Sequence, residues 1–422
     1  MGACGALLRR THMGSKNVLR DLAKRVQEIA NKPVQEERRR LWEGLNSFSS
    51  DKPLIYVRAC AFDEFFDTRQ LKCDDPDLRR MEKDMHALLF QDTVGDDYII
   101  EPWLTHRAIF SVPDDERWGL SVSMNRPGEH ILSAGFSPKL VEESDFDKMK
   151  RPSVVVAEEK TALLHEKLSE AIGGVLPLCI DKIPTLAGPI GDISTDLGKL
   201  RGIEQLMTDG YDRPEWFHKV LTFMRDGCLK AQEETEKAGH YTTASQLNQA
   251  MPYCKELPRP DPSGTGVHRS QIWTYMAAQE FTGCGPDYFQ EFIYQYQIPL
   301  MENFGMVSYG CCEDMSYNLS IIKRLKNLRR IAITPFSDLK KCAEQINDSY
   351  IASWRPNPSA MLATGLDEDY VRSFMQENLA VLMRNNCRFD ITLKDVETVA
   401  HKPENISRWV ALVRQEIDRL YR

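Results

Sequence analysis

Met306-Val-Ser-Tyr-Gly-Cys-Cys-Glu-Asp314 runs from a short apolar segment into a polar knot, and a helical pattern follows it. The junction sets a phenol (Tyr309), two thiols (Cys311 and Cys312) and a carboxylate (Glu313) within five residues. In parallel α/β proteins the carboxyl ends of the strands carry the chemistry, because the loops there vary while the framework holds still. Three later units end in the same manner: Thr334-Pro-Phe-Ser-Asp338, Trp354-Arg-Pro-Asn-Pro358 and Lys394-Asp-Val-Glu-Thr398. Strand, short loop and helix in repetition predict a parallel sheet covered by helices, with right-handed connections that wind it into a barrel or an open sheet. No glycine-rich phosphate fingerprint follows any strand, so a dinucleotide-binding sheet is disfavoured. The expected fold is α/β, a (β/α)8 TIM-type barrel.

Working outward, strands are expected near positions 306, 330, 350 and 389, with helices over 316–327, 337–346, 367–386 and 403–420. Upstream, helices are expected over 161–172 and 286–304. Another runs over 214–239, with proline at its start and glycine at its end. Runs at 175–180 and near Tyr241 read as strands. Residues 16–48 repeat apolar positions at helical spacing, 54–57 could be a first strand, and 98–100 and 118–124 look extended. The expected division is a tag-like leader (1–15, containing Thr11-His-Met-Gly-Ser15), an N-terminal extension of mixed, mostly helical structure (16–150) and the barrel (151–422).

The chain has 422 residues, 27% of them charged and 42% hydrophobic, which fits a globular protein with a large core. A net charge of −8 argues against nucleic acid or an anionic membrane as partner. No apolar run approaches the roughly 18 residues that span a bilayer. Eleven cysteines show no spacing of a secreted disulfide framework, so a reducing, cytoplasmic setting is expected.

Several segments resemble the uroporphyrinogen decarboxylase superfamily, in particular its branch near the cobalamin-dependent methyltransferases. They are Met207-Thr-Asp-Gly-Tyr-Asp-Arg-Pro-Glu-Trp-Phe217, 309–314, Asn327-Leu-Arg-Arg-Ile-Ala-Ile-Thr-Pro335, and Ala343-Glu-Gln-Ile-Asn-Asp348 followed by 354–358. The resemblance covers roughly 160–422 and implies a distorted barrel with its site at the carboxyl ends of the strands. The decarboxylases themselves grip a polyanionic porphyrinogen with an arginine-rich segment. Val57-Arg-Ala-Cys-Ala-Phe-Asp-Glu-Phe-Phe66 offers one arginine amid acids and aromatics, so uroporphyrinogen is not the expected substrate.

The methyltransferase relatives bind zinc through a His-x-Cys pair and a distant Cys. Here Gly310 stands two before Cys312 and Tyr309 two before Cys311, and Cys387 falls before its strand, at the far end of the barrel. Strand alternation would send the neighbouring cysteines to opposite faces unless the strand has already ended.

The resemblance implies a methyltransferase that demethylates a small methoxy or methylamine substrate and passes the methyl to the cobalamin of a separate corrinoid protein. Zinc on Cys311, Cys312 and Glu313 would act as Lewis acid. Without metal, Glu313 or Lys394, paired with Asp395, would serve as general acid. Tyr309, Trp354, Asn357, Gln246 and Gln279 are candidate substrate contacts, with Glu101 and Trp103 as a lid from the extension. Homo-oligomerisation is compatible with such a barrel. The ordinary counterparts are two buried thiols, helix-capping by Glu313 and a structural Lys394–Asp395 pair. Two other functions stand beside this one: a carboxy-lyase acting on a small acid, and a non-catalytic barrel that holds corrinoid or substrate.

Overall fold

The computed structural model describes residues 2–125, 135–152, 155–188, 191–244, 247 and 250–421, with backbone alone for 2–15. Ten strands are assigned among them: β1 (Leu54–Ala59), β2 (Leu104–Arg107), β3 (Ser123–Asn125), β4 (Gly135–Ser137), β5 (Leu178–Asp181), β6 (Trp273–Met276), β7 (Met306–Tyr309), β8 (Leu328–Ile333), β9 (Ile351–Trp354) and β10 (Arg388–Val396). Six of them form one all-parallel sheet in the order β1-β10-β9-β8-β7-β6, while β2 and β5 pair in parallel separately. The remaining two, β3 and β4, make a short antiparallel ribbon.

The described ladders thus form two parallel arcs, six strands and two, rather than a continuous eight-stranded ring. The free edge of β1 shows why its ladder stops. Asp97 Oδ2 accepts the Ile55 N–H at 2.8 Å and Asp96 Oδ2 accepts the Val57 N–H at 2.8 Å. Two carboxylates satisfy donors that a further strand would otherwise take. Residues 98–100, expected as a strand, therefore run on as irregular chain.

Strand pairing crosses residue 150. Two strands of the 16–150 segment belong to the arcs: β1 pairs with β10 and β2 with β5. Parallel pairing joins strands far apart in sequence, which local periodicity does not encode. Other boundaries moved less. The helix expected over 316–327 shrinks to Leu319–Ile322, the one over 403–420 is Glu404–Leu420, and Tyr241 leads only into an isolated bridge, Thr242 with Thr265.

Alternation along the strands sorts side chains onto two faces. The face towards the helices carries Ile55, Val57, Val307, Tyr309, Ile331, Ile333, Ala352, Trp354, Phe389, Ile391 and Leu393, all in the large core cluster. The opposite, inner face begins apolar with Leu54, Trp273, Met306 and Ile351, against which Trp42 and Leu45 of the helix Pro33–Asn46 pack. Further along it becomes polar. Arg330 and Asp390, both fully buried, form an ion pair. Arg330 Nη1 also donates to Asn46 Oδ1 at 2.7 Å, and Ser353 and Thr392 hydroxyls donate to Asp390 Oδ1 at 3.0 and 2.6 Å. Asn46 Nδ2 in turn donates to the carbonyls of Met251 and Tyr253.

This network joins three strands and a helix, and each charge is neutralised in place. Asp390→Ala would leave a buried guanidinium without its counter-ion, and such losses cost about 3–5 kcal/mol. Urea unfolding of that variant should show a drop of this size; a change below about 1 kcal/mol would mean the pair is not a structural keystone.

Candidate functional site

Three strand ends build the site, and each does so through a departure from regular structure. The ladder of β7 ends at Tyr309, and Gly310 follows with φ of 104°, a conformation that disfavours a side chain. A Cβ at Gly310 would also stand 3.0 Å from the Ala332 Cβ. The chain therefore leaves the pleat before the cysteines, and alternation no longer separates them. Their Sγ atoms lie 3.6 Å apart.

On β10, Val57 pairs with Leu393 but Ala59 pairs with Val396, so an extra residue is accommodated and Asp395 takes φ of 54°. Such a bulge re-aims side chains. Lys394 projects across the sheet and its Nζ lies 3.1 Å from Cys311 Sγ and 3.3 Å from Cys312 Sγ. Asp395 pairs with the same ammonium at 3.1 Å from a more exposed position.

At the end of β9, Arg355 continues the inner-face parity of Ile351 and Ser353. It is buried, and it donates to the carbonyls of Cys311 and Gly310. Glu313 is buried as well. Its Oε1 accepts the Ala278 N–H at 2.9 Å and its Oε2 the Cys311 N–H at 2.7 Å. Glu313 and Arg355 therefore clamp the Cys311 backbone from both sides.

The electrostatics divide the two thiols. Cys311 is held well below the ordinary thiol range, first by the hydrogen bond from the Cys312 thiol and then, against the opposing effect of burial, by the Lys394 charge. The buried Tyr275 hydroxyl has no other hydrogen-bond partner among the described residues and adds to the stabilisation of the Cys311 thiolate. Cys312 is pushed up correspondingly, because it keeps the shared proton. Burial, the largest influence, pulls the Lys394 ammonium down, but the charge and hydrogen bond of Cys311 together with Asp395 raise the lysine overall. Burial raises Glu313 despite its two backbone donors. The arrangement is a thiolate–ammonium pair with a neutral thiol beside it.

The other expected contacts lie elsewhere. Tyr309 is fully buried on the helix-facing side, where its hydroxyl donates to Gln297 Oε1 at 2.7 Å. Trp354 stacks on Phe374 with centroids 5.8 Å apart, also on the helix side. Asn357 caps the helix Pro358–Leu362 by accepting the Ser359 N–H. Gln279 is half-buried and donates to Glu280. Gln246 lies outside the described residues. Cys387 donates to the Ala343 carbonyl, remote from the cluster. Glu101 and Trp103 line a cavity of about 520 Å³ beside β2 and β5. Glu101 is anchored there by Arg39 at 2.9 Å and Tyr253 at 2.5 Å, so it acts as a fixed wall.

The zinc expectation can be tested on the donor set. The described residues contain no group of three His, Cys, Asp or Glu side chains arranged for a metal. Both Glu313 oxygens are engaged by backbone N–H groups, and the Lys394 ammonium stands against both sulfurs. Two thiols without a third protein ligand do not meet the usual demand of three or four for zinc. The residues present do not fit that metal.

Two residues of the cluster were not foreseen. Arg355 was signalled by its parity with Ser353, and Tyr275 by a strand, Trp273–Met276, that went unread because all four of its residues are buried. Cysteine alkylation tests the electrostatics. Cys311 should react with iodoacetamide well below the pH at which a free thiol does, and Lys394→Met should move its pH profile upward by about one unit or more. A profile that stays put would remove Lys394 as the thiolate's partner.

No protein-family model matches the chain, and no curated protein matches it either. Among solved structures, a methyltransferase from Methanosarcina mazei is similar, with 13% sequence identity and a TM-score of 0.50. The alignment covers 91% of this chain and 98% of that one. The chain shares that protein's fold over nearly its whole length.

Proposed function

We propose that the chain is a methyltransferase that takes a methyl group from a small methoxy or methylamine compound and delivers it to a corrinoid carried by a separate protein, as in the cobalamin-dependent branch of the uroporphyrinogen decarboxylase superfamily. The observation that carries this reading is the Lys394 ammonium held within 3.3 Å of two thiols at the carboxyl ends of β7 and β10. The fold shared with a methyltransferase supports it. The reduced cobalt of the corrinoid would supply the nucleophile.

The chain's own residues have a different task. When the methyl–oxygen bond breaks, the bonding electrons stay on the departing oxygen. Lys394 lies only 10% exposed in its side chain, and its ammonium would hold that oxygen and give it a proton. The Cys311 thiolate keeps Lys394 charged before the substrate arrives, and Arg355 and Glu313 fix the loop that carries the thiolate. Glu313 is thereby a positioning residue and zinc has no part in the scheme.

The test combines the purified protein, a corrinoid protein with reduced cobalamin, and a panel of methoxy aromatics and methylamines, followed by visible spectroscopy. Methylation of the corrinoid by at least one compound is expected, slowed about 100-fold or more by Lys394→Met, as loss of a general acid does. No methylation with any compound, or a Lys394→Met protein at the native rate, would overturn the proposal. Release of carbon dioxide from a small acid instead would replace it with the lyase.

A further inference from the structure

We propose that Cys311 and Cys312 are also a thiol–disulfide exchange site, at which a low-molecular-weight disulfide converts the two neighbours into a disulfide with each other. This does not rest on the methyl-transfer reading. It rests on three features of the same loop.

The first is proximity: the two sulfurs are 3.6 Å apart, in contact before any bond forms. Access is the second. Cys312 is exposed and Cys311 partly so, as are Cys60 (exposed) and Cys179 and Cys284 (half-buried), whereas Cys73, Cys228, Cys254, Cys342 and Cys387 are buried. The third is activation, since the Lys394 ammonium 3.1 Å from Cys311 Sγ favours the thiolate, and the thiolate is the attacking species.

The steps balance. The Cys311 thiolate attacks one sulfur of the external disulfide, R–S–S–R. That S–S bond breaks, one R–S⁻ departs and takes a proton, and Cys311 carries the R–S group as a mixed disulfide. Cys312 loses its proton to water and attacks the Cys311 sulfur. The second R–S⁻ leaves, takes a proton, and the Cys311–Cys312 bond is made. Two electrons pass from the cysteine pair to the reagent, which ends as two thiols.

Geometry makes the product labile. Adjacent Cα atoms are held about 3.8 Å apart, below the roughly 4.4–6.8 Å usual for a disulfide, so the bond closes under strain and is easily reduced. Arg355 and Glu313 hold the Cys311 peptide, so closure falls to the Cys312 side of the loop, which lies beyond the β7 ladder and after the left-handed Gly310. Closure also removes the negative charge that Lys394 faces, leaving the ammonium to Asp395. The pair would thus convert the thiol–disulfide balance around it into a change in the charge facing Lys394.

The full chain should be equilibrated with graded ratios of glutathione disulfide to glutathione, quenched in acid, alkylated and mapped by mass spectrometry. The expected result is loss of two hydrogens within the peptide holding 311–312, at ratios that leave the buried cysteines free to alkylate. Cys312→Ser should stop at a glutathione adduct on Cys311. Lys394→Met should form that adduct about tenfold more slowly. Lys394→Arg, which keeps the charge, should stay near the native rate, so that a fold defect in the methionine variant is separable. A bond from either cysteine to Cys60, adducts that persist on Cys311 without resolution, or an adduct rate indifferent to the charge at 394 would each overturn the proposal.

Discussion

The buried Arg330–Asp390 pair is the constraint on which the inner face depends. Two ions are stable away from water only when other groups also hydrogen-bond them, and here Asn46, Ser353 and Thr392 supply further hydrogen bonds to the pair. The pair fixes β8, β9 and β10 in register and ties them to the helix that plugs the amino end. It also sets the polarity of everything beyond it. Once the middle of the inner face is ionic, Tyr275, Arg355 and Lys394 can continue as a polar column towards the carboxyl ends, while the helix-facing side stays apolar.

At the top of that column, irregular backbone replaces the pleat. Gly310 takes the chain out of β7, and the bulge at Lys394–Asp395 turns a lysine across the sheet. Both changes are needed for one ammonium to meet two sulfurs. Arg355 and Glu313 then hold the Cys311 peptide, so the thiolate is built into a rigid frame rather than displayed on a mobile loop. This is the kind of preorganised charge that acts on an oxygen gaining electrons without prior rearrangement.

The sequence made the last third legible because its strands are bounded by turn residues and followed by helices with clear punctuation. The helix Pro214–Lys237 was foreseen from its proline and glycine alone. What failed had physical causes. The pairing of β1 with β10 joins Leu54 to Asp390, far apart in sequence, and the edge cap by Asp96 and Asp97 substitutes side chains for a strand. At the site, 309–314 and Lys394 were singled out, yet the faces were misassigned. Trp354 and Tyr309 are expected as substrate contacts, but parity sends both to the helices and leaves Arg355 inside. Alternation could not foresee the meeting of Cys311 and Cys312, because it assumes a strand that has already ended.

The central claim is that an ammonium, and not a metal, faces the two thiols. Metal analysis by mass spectrometry of protein purified under reducing, anaerobic conditions tests it most directly, with Cys312→Ala and Lys394→Ala in parallel. The account expects no stoichiometric zinc in the native protein. About one zinc per chain, lost in Cys312→Ala, would contradict it and return the cluster to a thiolate–metal site.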